Sequence, residues 1–327
     1  CPYEKNEEID TMTEQQNIVN TNLWFVAEDA DVLLVRGDER IELLHRLSTN
    51  DLKPLNDKNK KASTVFTTAQ GKIVDWVSVF SLEDELLLRL SPNRGKDLAN
   101  WINQFIIMED VEIENVSSQW CCLVVQGKVD MSALGLPEKI DRDGFVRLDE
   151  GLCFPAHVAY GDRHEILVKR EEQKDWEEKL TRLGVEYAPK HFLDESRILA
   201  GVPSPHFEFE DEINPLELRL KEHVISWTKG CYIGQEVISR LDSYDKLARI
   251  LMGFECAKSI PEDDSIRLRK NGKNLGRITS KCLLSNGHTI GLAIVKRDEA
   301  TPGVVELSGD FGQMEIELKD RPFWADA

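Results

Sequence analysis

The chain has no apolar run near the ~20 residues that cross a bilayer as a helix, so no membrane span is expected. Its first twenty residues are polar and acidic and hold no hydrophobic stretch of the secretory kind. No C-x-x-C pair occurs. The seven cysteines (Cys1, Cys121, Cys122, Cys153, Cys231, Cys256 and Cys282) are odd in number and scattered. That pattern speaks against a zinc knuckle, a dithiol redox pair or a disulfide framework, and suits a reducing compartment. The expected location is the cytoplasm, or an organellar matrix or stroma where a transit peptide has been removed. No H-x-x-x-H is present, so no metal centre is expected. The absence of G-x-x-x-x-G-K-[ST], G-x-G-x-x-G and G-x-S-x-G excludes a phosphate loop, a dinucleotide fingerprint and a hydrolase elbow of the usual kinds. Positive charge is scarce: 41 Lys and Arg stand against 59 Asp and Glu, a net charge of −18. A broad nucleic-acid surface is thereby excluded, because phosphate binding rests on clustered cations.

What is present is enough for real cores: 41% of 327 residues are apolar, a length suited to two or three domains. Residues 31–37 read as a buried strand ended by a glycine, with Asp38 capping a helix over 39–47. Residues 63–68 and 73–80 flank a glycine turn at 69–72 and read as a hairpin. A third strand over 85–90, a helix over 96–106 and a strand over 111–116 follow. The order recurs later: a hairpin from 145–148 and 153–158, a strand over 165–169, and a helix over 172–183 ended by Gly184. Both helices open with Lys-Asp (Lys96-Asp97 and Lys174-Asp175), and a Trp follows each, Trp101 and Trp176. Two related α+β units, each an antiparallel sheet with helices on one face, are expected. From 249 to 323 short β-rich segments alternate with Gly, Pro, Asn and Asp, without helices, which points to a small closed barrel or sandwich. Cys121 and Cys122 lie in an apolar run and read as small strand hydrophobes.

The stretch 214–249 differs from the rest. Between Arg219 and Arg249 six cations face four carboxylates, so this window is +2 and the remainder −20. A mildly basic island in an acidic chain suits a small anionic ligand. At its centre stands Lys229-Gly230-Cys231-Tyr232-Ile233-Gly234-Gln235-Glu236. Glycine permits φ > 0 and close backbone approach. Gln235, Glu236 and Arg240 fall in the first turns of a helix, with Arg240 four residues after Glu236. Cys231, beside Lys229 and a helix start, is expected to favour the thiolate; the alternative is an inert buried thiol. Arg240 could clamp a carboxylate or simply pair with Glu236. Tyr232 and Trp227 could stack on a flat heterocycle or pack in a core. Asn93-Arg94-Gly95-Lys96-Asp97 is a second candidate, with helix capping the plain alternative for Asp97.

The eight-residue run resembles the K-G-C-[FY]-x-G-Q-E signature of the YgfZ family, folate-dependent proteins of iron–sulfur cluster assembly and repair. The resemblance extends to Val35-Arg36-Gly37, Ser48-Thr49-Asn50-Asp51, Arg197-Ile198-Leu199-Ala200-Gly201-Val202-Pro203, Asn214-Pro215-Leu216-Glu217 and Gly276-Arg277-Ile278-Thr279-Ser280, and so to about residues 23–322. The wider superfamily includes the aminomethyltransferase (T-protein) of glycine cleavage. Membership implies an α+β fold of three domains in a ring around a folate channel: two α+β antiparallel-sheet domains (1–48 with 117–192, and 49–116 with 193–248) and a C-terminal β-barrel (249–327). It implies tetrahydrofolate, or a folate derivative, as cofactor, and iron–sulfur client or assembly proteins as partners. Cys231 and Asp97 would be the catalytic residues. Lys229, Gly230, Tyr232, Gly234, Gln235, Glu236, Arg240, Trp227 and Asn93 would bind the folate. Asp97 matches the T-protein family's catalytic aspartate. Leu199 stands where that family has a pterin-contacting glutamate, a departure that favours the YgfZ-like reading over glycine cleavage. A folate-dependent aminomethyltransferase and a non-catalytic interaction scaffold are the alternatives.

Overall fold

The computed structural model describes residues 21–320, apart from 28–29, 157–161, 190, 210–211 and 264. Cys1, the end of one expected strand (157–158) and the end of the expected β-rich region (321–323) lie outside the described residues. Three sheets organise the chain. The first is six-stranded, in the order β11-β1-β7-β10-β9-β8, from β1 (Leu23–Ala27), β7 (Trp120–Gln126), β8 (Val146–Leu148), β9 (Gly151–Pro155), β10 (Arg163–Lys169) and β11 (Glu186–Tyr187). The second is five-stranded, in the order β3-β4-β5-β2-β6, from β2 (Val32–Arg36), β3 (Lys61–Thr67), β4 (Ile73–Ser81), β5 (Leu86–Arg89) and β6 (Glu112–Asn115). Six strands between Arg249 and Lys319 close into a barrel, in which β14 (Lys273–Leu283) and β15 (Thr289–Lys296) pair antiparallel.

The two open sheets repeat one plan. In each, a hairpin (β3-β4, β8-β9) is followed by a third strand (β5, β10) that pairs with the unit's first strand (β2, β7). In the first sheet β1 is inserted next, pairing parallel with β11. The period-2 alternation of strands sends successive side chains to opposite faces. Leu33, Val35, Leu86 and Leu88 therefore pack under α1 (Arg40–Leu47) and α2 (Gly95–Asn103). Cys121, Leu123, Val125, Ile166 and Val168 pack under α3 (Gln173–Arg182), which stops at Gly184 with φ +74°. The opposite faces meet: Val32, Leu34, Phe80 and Leu87 of one sheet share a core with Phe25, Cys122, Val124, Phe154 and Leu167 of the other.

One local expectation is corrected. Asp38 does not cap α1: the cap position is Glu39, without a side-chain cap bond, and the Asp38 N–H instead donates to Asp110 Oδ2 at 2.9 Å. The Glu39 carboxylate accepts the Asp110 N–H in return, so the pair ties the two loops together across the sheet edge.

Candidate functional site

A cavity of about 360 Å³ opens where both sheets end against the segment 193–209. Trp76 and Ser78 of β4 and Arg89 of β5 form one wall. Arg163 and Glu165 of β10, with Val26 and Ala27 of β1, form another. Leu193, Asp194 and Arg197 of α4 (His191–Leu199) and the loop bearing Pro203, His206, Phe207 and Phe209 close the third side. A concave, mixed apolar and polar site of this size is the usual form of a small-molecule site.

The loop that closes the cavity is held by a buried network. Arg197 Nη2 donates to Ser280 Oγ at 3.1 Å, and Ser280 Oγ donates to Glu208 Oε1 at 2.6 Å. The Ser204 N–H donates to Glu208 Oε2 at 2.7 Å, and Arg197 Nη1 lies 3.5 Å from the same oxygen. Glu208 has no exposed surface, so these partners take the place of water around its carboxyl oxygens. Ser280 sits at a register shift in β14, where the bulge turns its hydroxyl toward α4.

Two arginines and one carboxylate stand deeper. Arg89 Nη2 is 3.1 Å from Glu165 Oε2, and Arg163 Nη2 is 3.8 Å from Glu165 Oε1. Burial alone would raise the Glu165 carboxyl, but Arg89 and then Arg163 outweigh it and hold it below its ordinary value. The Cys122 thiol donates to Glu165 Oε2 at 3.5 Å, and burial together with that carboxylate pushes it far up, so it is inert.

The structure places the sequence candidates elsewhere. None of them lines this cavity. The Lys229 ammonium is buried and donates to the carbonyls of His45, Ser48 and Asn50 at 2.6, 2.7 and 2.6 Å. These carbonyls lie at the C-terminal end of α1, where backbone acceptors lack helical partners and a cation is favoured. Burial drops the Lys229 ammonium to about 8. Tyr232 packs in the core under the barrel, and its burial pushes the phenol up to about 12. Gly234 has φ +86°, and a Cβ there would lie 2.6 Å from the Thr68 carbonyl oxygen. It opens α5 (Gln235–Tyr244) against the β3-β4 turn. Gly230 faces open space. Cys231, Glu236 and Arg240 are exposed, as is Trp227, over which Lys221 Nζ sits at 5.0 Å. No ion pair joins Glu236 to Arg240 among the described residues. Asn93 (φ +58°) and Asp97 are exposed at the start of α2, just after Pro92 of the cavity rim. Asp97 does not cap that helix: the cap position is Arg94, and Asp31 Oδ2 accepts the Gly95 N–H. Leu199 is fully buried in the core.

Sequence reasoning missed Arg89, Arg163, Glu165 and Trp76. The signal was there: an arginine inside the run Leu86-Leu87-Leu88-Arg89-Leu90 shares the inward face of Leu87.

No family model matches the chain. It is 27% identical over 292 residues to an Arabidopsis thaliana protein named a putative chloroplastic transferase, with 82% of this chain aligned and 64% of that protein covered. The chain thus spans less than two thirds of that relative's length. It is 27% identical over 334 positions to an aminomethyltransferase of Thermoanaerobacter pseudethanolicus, covering 96% of this chain and 87% of that one. The crystal structure of glycine cleavage system aminomethyltransferase T from Bartonella henselae superposes with a TM-score of 0.80 at 16% identity, over 95% of this chain and 88% of the other. Three sheet domains ending in a closed six-stranded barrel are therefore the aminomethyltransferase fold.

Proposed function

We propose that this chain is a tetrahydrofolate-binding protein, with the folate held in the cavity between the two sheets and the 193–209 segment. The observation that carries this reading is the cavity's chemistry. Trp76, Phe207 and Phe209 offer aromatic faces to a flat ring system. The Nε–H groups of Arg89 and Arg163, buried without partners, offer donors to a ligand rich in acceptors. The residues present therefore fit a folate. A bound folate would supply one-carbon chemistry at its reduced ring, and the cavity's residues would orient it and exclude water.

The iron–sulfur part of the reading rests on Lys229-Gly230-Cys231-Tyr232-Ile233-Gly234-Gln235-Glu236. Lys229 and Gly234 fasten the two ends of this loop, and the Cys231 thiol is left on the surface. A surface thiol suits exchange with a partner protein rather than attack on a ligand inside the cavity. We infer a role in supporting iron–sulfur enzymes, including tRNA-thiolating ones. The second reading is a folate-dependent aminomethyltransferase. Its support is Asp97, as the match to that family's aspartate, and the aminomethyltransferases among the chain's relatives. Leu199 weighs against it, since a fully buried leucine supplies no carboxylate to a pterin.

Titration calorimetry with 5-formyltetrahydrofolate tests the folate reading. Saturable binding that Trp76→Ala weakens is expected, and no heat at millimolar ligand overturns it. Complementation of a strain lacking the YgfZ-type protein tests the thiol. Wild type should restore growth and Cys231→Ala should not; rescue by Cys231→Ala removes Cys231 from the mechanism. Formation of methylene-tetrahydrofolate from an aminomethyl-lipoyl donor would decide for the second reading.

A further inference from the structure

The alternation of β5 and β10 carries a change of chemistry along the cavity wall. Leu87 and Leu167 meet in the apolar core that the sheets share. Two residues along β5 the same face presents Arg89; two residues back along β10 it presents Glu165, and two further back Arg163. The two guanidiniums share one carboxylate, at 3.1 and 3.8 Å. Their side chains are only 21% and 11% exposed, and the Nε–H of each is buried without a partner. Arg89 adds one bond, from Nη1 to the Leu90 carbonyl at 3.3 Å, and Arg163 lies 5.8 Å over the ring of Phe25. Lys61 and Asp75 are buried nearby. Lys61 donates to the Pro155 carbonyl at 2.7 Å, and Asp75 accepts the N–H groups of Trp76 and Ser91. Buried charge is tolerated when it is paired and hydrogen-bonded, and here two guanidiniums share a single carboxylate and each keeps an unpartnered Nε–H, at the wall of the cavity.

We propose that Arg89 and Arg163 form an anion subsite in the cavity and take a carboxylate of the ligand. A guanidinium edge matches a carboxylate in shape and charge, and a ligand carboxylate supplies a second anion for the pair of guanidiniums and acceptors for the free Nε–H groups. Glu165 then serves as the internal competitor that holds the two arginines in place. The inference rests on this cavity being the ligand site, and not on the ligand being a folate. Such a carboxylate has two sources: the glutamyl portion of a folate-type molecule, or a small free acid.

The test is calorimetric, on the full chain. The probes are 5-formyltetrahydrofolate, the same reduced pterin without its aminobenzoyl-glutamate, glutarate and inorganic phosphate. Arg89→Gln and Arg163→Gln should each weaken the carboxylate-bearing probe about tenfold, the effect of one lost charge-assisted bond, and leave the tail-less pterin within about twofold. Glu165→Gln, which keeps the side-chain shape and removes the competitor, should tighten the same probe. That opposite sign separates a binding role from general disruption, and near-UV circular dichroism confirms folding of each variant. Glutarate binding with this pattern, without binding of the formyl-folate, keeps the subsite and ends the folate reading. Formyl-folate binding equally to all variants keeps the folate reading and ends the subsite. Phosphate preferred over both acids, or Glu165→Gln weakening the carboxylate probe, also overturns the proposal.

Discussion

The ammonium of Lys229 lies 2.6 Å from the carbonyl oxygen of His45, 184 residues earlier in the chain. Two further carbonyls, of Ser48 and Asn50, complete its set of three acceptors. An ammonium has three donors, so the side chain is saturated as a clamp between the 229–236 loop and the end of α1.

Lys229→Met should therefore destabilise the fold by about 3 kcal/mol, since it strands buried acceptors without their donor. The loss should depend on pH. Burial depresses the folded ammonium to about 8, below its unfolded value near 10.4. The unfolded chain then binds more protons between these values, so wild type gains stability as pH rises through that window. The gap between wild type and Lys229→Met, measured by urea unfolding, should widen from pH 8 toward pH 10; a constant or shrinking gap would contradict the burial of that charge.

Gly234→Ala should cost about 1–3 kcal/mol, because φ +86° is strained for any residue with a Cβ. The new methyl would also meet the Thr68 carbonyl oxygen at 2.6 Å. Gly230→Ala, which meets open space without a positive φ, should change stability by less than about 0.5 kcal/mol. Denaturation midpoints of the two variants give a direct contrast within one loop.

Thiol reactivity should separate the cysteines. Cys231 is exposed, whereas burial lifts Cys121 to about 11 and Cys153 and Cys282 to about 12. An aromatic disulfide reagent at pH 8 should modify Cys231 in the native state, and these three only on unfolding. Cys231→Ala should remove one fast equivalent and leave the unfolding midpoint in place. Retention of that equivalent in the variant would mean that Cys231 is shielded.

Glu208→Ala should destabilise by about 1–3 kcal/mol: Arg197 keeps its pair with Asp194 at 3.2 Å, while the Ser280 hydroxyl and the Ser204 N–H lose their buried acceptor. Ser280→Ala, which removes one neutral link in the same network, should cost about 1 kcal/mol. The 202–208 loop should exchange its amides faster in both variants, and the Ser204 amide most of all, since it donates to Glu208.

The expected strands and hairpins correspond closely to the structure. The hairpin around Gly71, the stop at Gly184 and the six barrel segments were all legible, because alternation and glycine turns are properties of near neighbours. Asp38 was not, since its partner Asp110 lies across a sheet edge. Lys229 was expected to act on Cys231, two residues away; its ammonium instead serves the end of α1. β1 was invisible as an inserted strand, because a parallel partner such as β11 leaves no local turn signal.

By itself the sequence determined the α+β class and a terminal domain of short strands, barrel or sandwich. Each follows from short-range sterics and from the burial of alternate side chains. Only the tertiary structure decided which charges face one another. Arg89 and Glu165 stand on different sheets, and no local pattern places them 3.1 Å apart. Their meeting is set by how two apolar faces pack, and where that packing ends the cavity begins.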